Sequence, residues 1–361
     1  MANVLDYIQW RGDLSFAASP FCEVDNYIIS KIGCPDYTGI VPEGADSIPI
    51  CDALSALFAP GNEKRATLGL LASPAIITML KSVPDTVRFS SLRLSGFVKR
   101  LDFEQGEQFS ALTVLLPDGT AYVSFRGTDD TIIAWKENFL MAAMDAVPAQ
   151  KAASEYLRWA VSAYPGPIIV GGHSKGGNLA VYAAASVPPE VQDRITAVYN
   201  NDGPGFRDEF LASEGYGRIR SRVHTIVPYH SIVGNLLTQE QSREVVRCES
   251  AGIAAHDGFC WEVLGTKFLT CDALSRASDA LDVAIDETIA GMDRAQRTDF
   301  IENLFSILTS TGAVYLSDFS ENTLRQALEI AKKLKGQKEI PKFISKVLTE
   351  MAKEFFQGKK K

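Results

Sequence analysis

The sequence predicts an α/β fold, a mixed and mostly parallel sheet with helices on both faces, followed by a helical C-terminal region. Three observations predict it. Residues 88–126 alternate apolar and polar side chains around a Pro-Asp-Gly break, the pattern of antiparallel strands joined by a tight turn. From Thr131 onward, wholly apolar runs of four to six residues alternate with helical spacing, as parallel strands covered on both faces do. Beyond residue 271 the strand patterns stop and only helical spacing remains.

Taken in order, the first 85 residues read as short helices broken by Pro and Gly, among them Glu23–Ile32 and Ile50–Phe58. Arg88–Asp102 and Phe109–Leu116 read as strands, and Leu116-Pro-Asp-Gly-Thr turns the chain into a third, Ala121–Arg126. Helices are expected over Ile132–Met144 and Ala149–Ala163, a short buried strand at Pro167–Val170, and a helix over Asn178–Ala185. Further buried strands follow at Ile195–Asn200 and Val223–Pro228. Antiparallel strands first and βαβ units afterwards make a mixed sheet between helical layers. Leu274–Met292, Arg297–Thr311, Thr323–Lys335 and Pro341–Phe356 all have helical spacing. The expected division is therefore residues 1–270 as one sheet domain with a helical N-terminal segment. Residues 271–361 form a helical region packed on it or acting as a lid.

Bulk properties bound the function. Of 361 residues, 46% are hydrophobic and 22% charged, so a sizeable core forms without disulfide or metal staples. The six cysteines lack C-x-x-C spacing, which argues against a zinc site or a disulfide framework and for reduced thiols. Asp6, Arg11 and Asp13 interrupt the N-terminus where a secretory leader needs an apolar run, and no apolar stretch is long enough to span a bilayer. A cytoplasmic location is expected. The net charge of −8 hides an asymmetry, because residues 331–361 carry ten lysines against three glutamates and leave −15 on the rest. An acidic body argues against a nucleic-acid partner. On Pro341–Phe356, Phe343, Ile344, Val347, Leu348, Met351 and Phe355 lie opposite Lys342, Lys346 and Lys353. Two readings stay open there: a peripheral membrane contact, or a helix packed on the body with a solvated lysine face.

The chemistry concentrates at Gly171-Gly172-His173-Ser174-Lys175-Gly176-Gly177, between the apolar Pro-Ile-Ile-Val run and the Ala-rich helix. G-x-S-x-G in a strand–turn–helix context is the nucleophile elbow of the α/β-hydrolase fold. The turn holds serine in a strained conformation, and side chains two positions away on either side would collide, so Gly172 and Gly176 remove them. Ser174 is the candidate nucleophile, raised beside the positive end of the following helix. About 50 residues earlier, Ala121-Tyr-Val-Ser-Phe-Arg-Gly-Thr128 is a strand ending in a Gly-Thr turn. An oxyanion hole needs the amide after the nucleophile, here Lys175, and a second from the loop after an earlier strand, for which Thr128 is placed.

Ser124-Phe-Arg-Gly-Thr128 together with Gly172-His-Ser-Lys-Gly-Gly177 resembles the fungal-type (class 3) lipases. The chain resembles more closely an uncharacterised bacterial family of lipase-like α/β-hydrolases. That pattern is carried by Trp10-Arg-Gly-Asp-Leu-Ser-Phe16, Glu23-Val-Asp-Asn26, Trp135-Lys-Glu-Asn138, Asn201-Asp-Gly-Pro-Gly-Phe206, Ser231-Ile-Val-Gly234 and His256-Asp-Gly-Phe-Cys-Trp261. The resemblance spans roughly residues 4–265 and implies a Ser-His-acid hydrolase of undefined substrate.

A serine hydroxyl needs a histidine to take its proton. Of the four histidines, His173 lies in the elbow and reads as structural, while His224 lies within a strand pattern. The chain order Ser, acid, His favours His256, in a polar loop late in the chain, with His230 in reserve. For the acid, Asp202 ends the strand Ala197-Val-Tyr-Asn-Asn and projects from the same sheet edge as Ser174. In class 3 lipases the acid follows the next strand, where this chain has Ser231. Asp202 can serve because distance to the histidine matters rather than sequence position, although a plain turn role before Gly-Pro-Gly stays open. Asp129 and Asp130 suit bracing the oxyanion loop or capping the helix from Thr131. The expected activity is hydrolysis of a small-molecule or lipid carboxylic ester through an acyl-enzyme, with no metal or organic cofactor. An acyltransferase using the same triad, a lipid-surface esterase, and an inactive hydrolase fold used for binding stay open, as does the oligomeric state.

Overall fold

In the computed structural model the described residues are 1–66, 73–102, 104–129, 131–141, 143–231, 233–235, 237, 242–250, 252–272, 274, 292–312, 328 and 330. The chain begins with helices α1 (Val4–Arg11) and α2 (Glu23–Ile32), then a short strand β1 (Ser47–Pro49), α3 (Ile50–Leu57) and α4 (Ala75–Ser82). Next come β2 (Arg93–Asp102), β3 (Glu107–Leu115) and β4 (Ala121–Phe125). Helices α5 (Ile132–Leu140) and α6 (Pro148–Ala163) lead to β5 (Ile168–His173), α7 (Lys175–Ser186), β6 (Ile195–Asn201), β7 (Val223–Pro228) and β8 (Arg243–Val246). A small hairpin, β9 (Val263–Leu264) and β10 (Lys267–Phe268), and a helix α8 (Arg294–Thr309) follow.

Strands β1 to β8 form one sheet in sequence order. The pairs from β1 to β4 are antiparallel, and those from β4 to β8 are parallel. With helices on both faces, this is the α/β-hydrolase arrangement expected from the sequence. Strand alternation divides the core. Phe109, Ala111, Val123, Phe125, Ile168 and Val170 face a cluster with α6, α7 and α8. Leu112, Val114, Tyr122 and Ile169 face a second cluster, built with α1 to α4 and Trp261. A helix opening on proline (α6) and one rich in alanine (α7) fit these positions by local preference.

Element boundaries depart from expectation where tertiary contacts intervene. Arg88–Ser90 is not strand but part of a short helix, Val87–Ser90, capped by Thr86. Arg88 turns inward, where its Nε donates to Asp25 Oδ1 at 2.7 Å and its Nη1 to the Ser19 carbonyl at 2.9 Å. A buried guanidinium needs such partners, and they come from residues more than sixty positions away. The sequence reading omitted β1 and β8, and expected a strand after the His256 loop without the bounds of the β9–β10 hairpin, each too short to show alternation. The expected helix Arg297–Thr311 is α8, shifted to Arg294–Thr309 by a capping box between Asp293 and Gln296. Leu274–Met292, apart from residues 274 and 292, lies outside the described residues. So do most of Thr323–Lys335 and all of the lysine-faced segment Pro341–Phe356. Among the described residues, no helix is long and apolar enough to cross a membrane.

Candidate active site

Strand β5 delivers the chain into a turn of one residue before α7 begins. Ser174 holds φ 60° and ψ −134°, a conformation that side chains rarely adopt. The flanking glycines allow it. A Cβ on Gly172 would lie 2.4 Å from the Gly176 carbonyl carbon, and one on Gly176 would lie 2.1 Å from the Phe125 carbonyl oxygen. The strand–elbow–helix geometry expected at this position is present. The turn is tied to its neighbour strand by Ser174 N donating to the Asn201 carbonyl at 2.9 Å.

One residue past β6, Asp202 also holds a positive φ, 51°, and is fully buried. Its Oδ2 accepts from His256 Nδ1 at 2.6 Å. Its Oδ1 accepts from Ser231 Oγ at 2.5 Å and from Gly234 N at 3.1 Å. Asp202 and His256, 54 residues apart, are thus brought together. With Nδ1 committed to the carboxylate, a neutral His256 carries its lone pair on Nε2, which is the base-competent tautomer. Ser174 Oγ makes no hydrogen bond among the described residues, so the third contact of a triad is not closed in this state. Such contacts commonly tighten only with substrate bound.

The histidine sits in the loop Gly252–His256, and its ring remains partly exposed (18%). His173 supports it from below. Its Nε2 donates to the His256 carbonyl at 2.7 Å, and the two rings stand 4.4 Å apart. Burial, then Lys31 and His256 nearby, push the His173 imidazole well below the ordinary histidine range, although its hydrogen bond to the His256 carbonyl works the other way. The loop is anchored further by Trp261 Nε1 donating to the Ala255 carbonyl at 2.9 Å, and by Phe259 edge-on to Tyr27 at 5.8 Å. Of the other histidines, His224 is exposed and stacked on Tyr199, and His230 lies against Tyr229.

The turn after β4 lies against Ser174, since a Cβ on Gly127 would stand 3.3 Å from Ser174 Cβ. Thr128 Oγ1 accepts from Asn138 Nδ2 at 2.7 Å. Lys175 opens α7, and the first amides of a helix have no partner within it. Its ammonium is buried and pairs with Glu137 Oε2, while donating to the Gln108 carbonyl at 2.7 Å. Glu137 Oε1 accepts from Ala149 N at 2.7 Å. Both candidate oxyanion residues, Thr128 and Lys175, are therefore braced by consecutive residues of α5. Asp129 Oδ1 accepts from Thr131 N and Oγ1 in the loop before α5, whose N-cap is Thr131 itself, while Asp130 lies outside the described residues.

Sequence reasoning missed the roles of Ser231, Glu137 and Asn138, and read His173 as structural without its partner. Each acts through a partner distant in sequence, and only the quoted motif pieces marked them. No group of residues suited to holding a metal ion occurs among the described residues.

No curated protein matches the chain. Solved structures similar to it include the Rhizomucor miehei lipase–propeptide complex, as a deletion mutant and as the native form. These share 14% identity with TM-scores of 0.35 and 0.33, covering 53% and 58% of this chain and 70% and 68% of theirs. The M37 lipase is similar at 14% identity and a TM-score of 0.36, over 73% of this chain and 90% of its own. The model of the Mbeg1-like family matches residues 83–306, which is more than half of the sequence and contains the elbow, Asp202 and His256. The chain belongs to the Mbeg1-like family.

Proposed function

We propose that this chain is a serine hydrolase of carboxylic esters, with Ser174 as nucleophile, His256 as general base and Asp202 as the acid that orients it. One observation carries the reading: the 2.6 Å bond from His256 Nδ1 to a buried carboxylate, beside a serine held strained at a strand–helix elbow. A carboxylate on Nδ1 fixes the tautomer and stabilises the imidazolium that forms when Nε2 takes the serine proton. Ser174 Oγ attacks the acyl carbonyl, and the amides of Thr128 and Lys175 receive the developing oxyanion. His256 returns the proton to the departing alcohol, and a water activated by the same histidine releases the acyl group.

The substrate is a small-molecule or lipid ester. Residues 1–270 would form the hydrolase unit, with the region from 271 as its cover. The position of α8 against α5 supports the latter, with Phe139 and Phe305 edge-on at 5.5 Å and Lys136 paired with Glu302 at 2.6 Å.

Labelling with a fluorophosphonate probe tests the reading in wild type, Ser174→Ala, His256→Ala and Asp202→Asn. Labelling should require Ser174, collapse without His256 and fall steeply without Asp202. Ser231, standing past β7 where class 3 lipases carry the acid, favours one rival, a binding protein built on a hydrolase fold. A folded wild type that never labels would decide for it.

A further inference from the structure

Four residues after His256, Cys260 brings its sulfur to 2.7 Å from that of Cys248. Both are free thiols. A disulfide bond is 2.03–2.05 Å long, so the pair stands about 0.7 Å short of one. Different parts of the fold hold the two sulfurs. Cys248 follows β8, is 5% exposed, and is bridged through its backbone to Trp261. Cys260 is partly exposed in the histidine loop, with its sulfur against the carbonyls of Ala254 at 3.5 Å and Ala255 at 3.8 Å. The proposed mechanism uses neither residue. The other four cysteines have no second sulfur beside them among the described residues.

We propose that Cys248 and Cys260 are a site of reversible disulfide formation, and that the bond clasps the loop carrying His256 to the end of β8. The hydrogen bond between them lowers the Cys248 thiol below its ordinary range and, with burial, raises that of Cys260. Cys260 is the accessible partner and meets the oxidant first; as it attacks, its proton passes across the hydrogen bond to Cys248 and on to the thiolate expelled. Thiol–disulfide exchange with a low-molecular-weight disulfide supplies the electron balance. Cys260 loses its proton and attacks one sulfur of that disulfide, forming a mixed disulfide and expelling one small thiolate. The Cys248 thiolate then attacks Cys260 Sγ and expels the second. The protein loses two protons and two electrons, and the small disulfide leaves as two thiols.

The ring so closed contains His256, whose imidazole is held by Asp202 and whose carbonyl is held by His173. Joining its ends removes conformations in which the loop departs from Asp202. The consequence for catalysis rests on the reading of His256 as the base, whereas formation of the bond does not.

The full chain equilibrated in mixtures of oxidised and reduced glutathione, then alkylated and mapped by mass, tests the site. Amide hydrogen exchange over residues 254–260 is followed in parallel. The expected product is a Cys248–Cys260 cross-link two hydrogens lighter than the dithiol, kept in Cys22→Ser and Cys271→Ser and lost in Cys248→Ser and Cys260→Ser. In the oxidised wild type, exchange in the loop should slow on the order of tenfold. Alkylation of both sulfurs in the oxidised folded chain, a cross-link to another cysteine, or unchanged exchange in the cross-linked form would each overturn the proposal. Failure of Ser174 to label would sink the hydrolase reading alone, because the cross-link is judged by mass.

Discussion

Asp202 is buried at a positive φ, and its two oxygens have different tasks, one on His256 and the other on Ser231 and Gly234. The carboxylate stands at the end of β6, and the hydroxyl that steadies it stands just past the end of β7. Removing that hydroxyl leaves Oδ1 with one donor in a buried place, a loss of about 1.5–3 kcal/mol for a hydrogen bond to a charged group. Ser231→Ala should therefore lower kcat/KM for an ester substrate by roughly 10–100-fold while the fold persists, which steady-state kinetics and circular dichroism check together. His173 carries a second prediction. Its imidazole resists protonation in the folded chain because burial, Lys31 and His256 oppose the charge, while in the unfolded chain it titrates normally near 6.5. The unfolded state thus binds more protons below that pH. This contribution is complete above pH 6.5 and declines as pH falls, by up to about 1.4 kcal/mol per unit. Urea midpoints at pH 7.5 and 5.5 should diverge less in His173→Gln than in wild type.

At the scale of the element, α5 does more than cover the sheet. Consecutive residues of one turn, Glu137 and Asn138, reach the residue after Ser174 and the turn facing it. The pair Lys175–Glu137 is fully buried, so breaking it strands a charge, whereas removing both partners does not. Glu137→Leu should cost about 3–5 kcal/mol of unfolding free energy, and Glu137→Leu with Lys175→Met should recover most of it. A double-mutant cycle by chemical denaturation reads this directly. The motif Trp135-Lys-Glu-Asn138 was visible in the sequence, but its work was not. Helical spacing shows which residues share a face, and cannot show that Glu137 meets a lysine 38 positions away. The strand pattern likewise misread Arg88, because alternation does not register an ion pair with Asp25.

Over the whole molecule, two cores sandwich the sheet, and α8 extends one of them through Phe300, Ile301, Leu304, Phe305 and Ile307. Phe305→Ala should cost about 3–5 kcal/mol. Thermal melting should then shift down by roughly 6 °C or more in a chain of this size. A midpoint within a degree of wild type would mean that α8 contributes little to this core.

The elbow, the order of strands and the candidates Ser174, Asp202 and His256 were legible in the sequence for a local reason. Glycines at fixed offsets, apolar runs and turn chemistry act over a few residues, and such short-range sterics are written in adjacent letters. What only the tertiary structure decided depends on long-range closure. Asn26 bonds Asn201 across 175 positions, Ser231 meets Asp202, His173 holds the carbonyl of His256, and Cys248 faces Cys260. Buried polar groups must find partners wherever the fold brings them. The identity of each partner follows from packing the eight strands in their order, not from the spacing of residues along the chain.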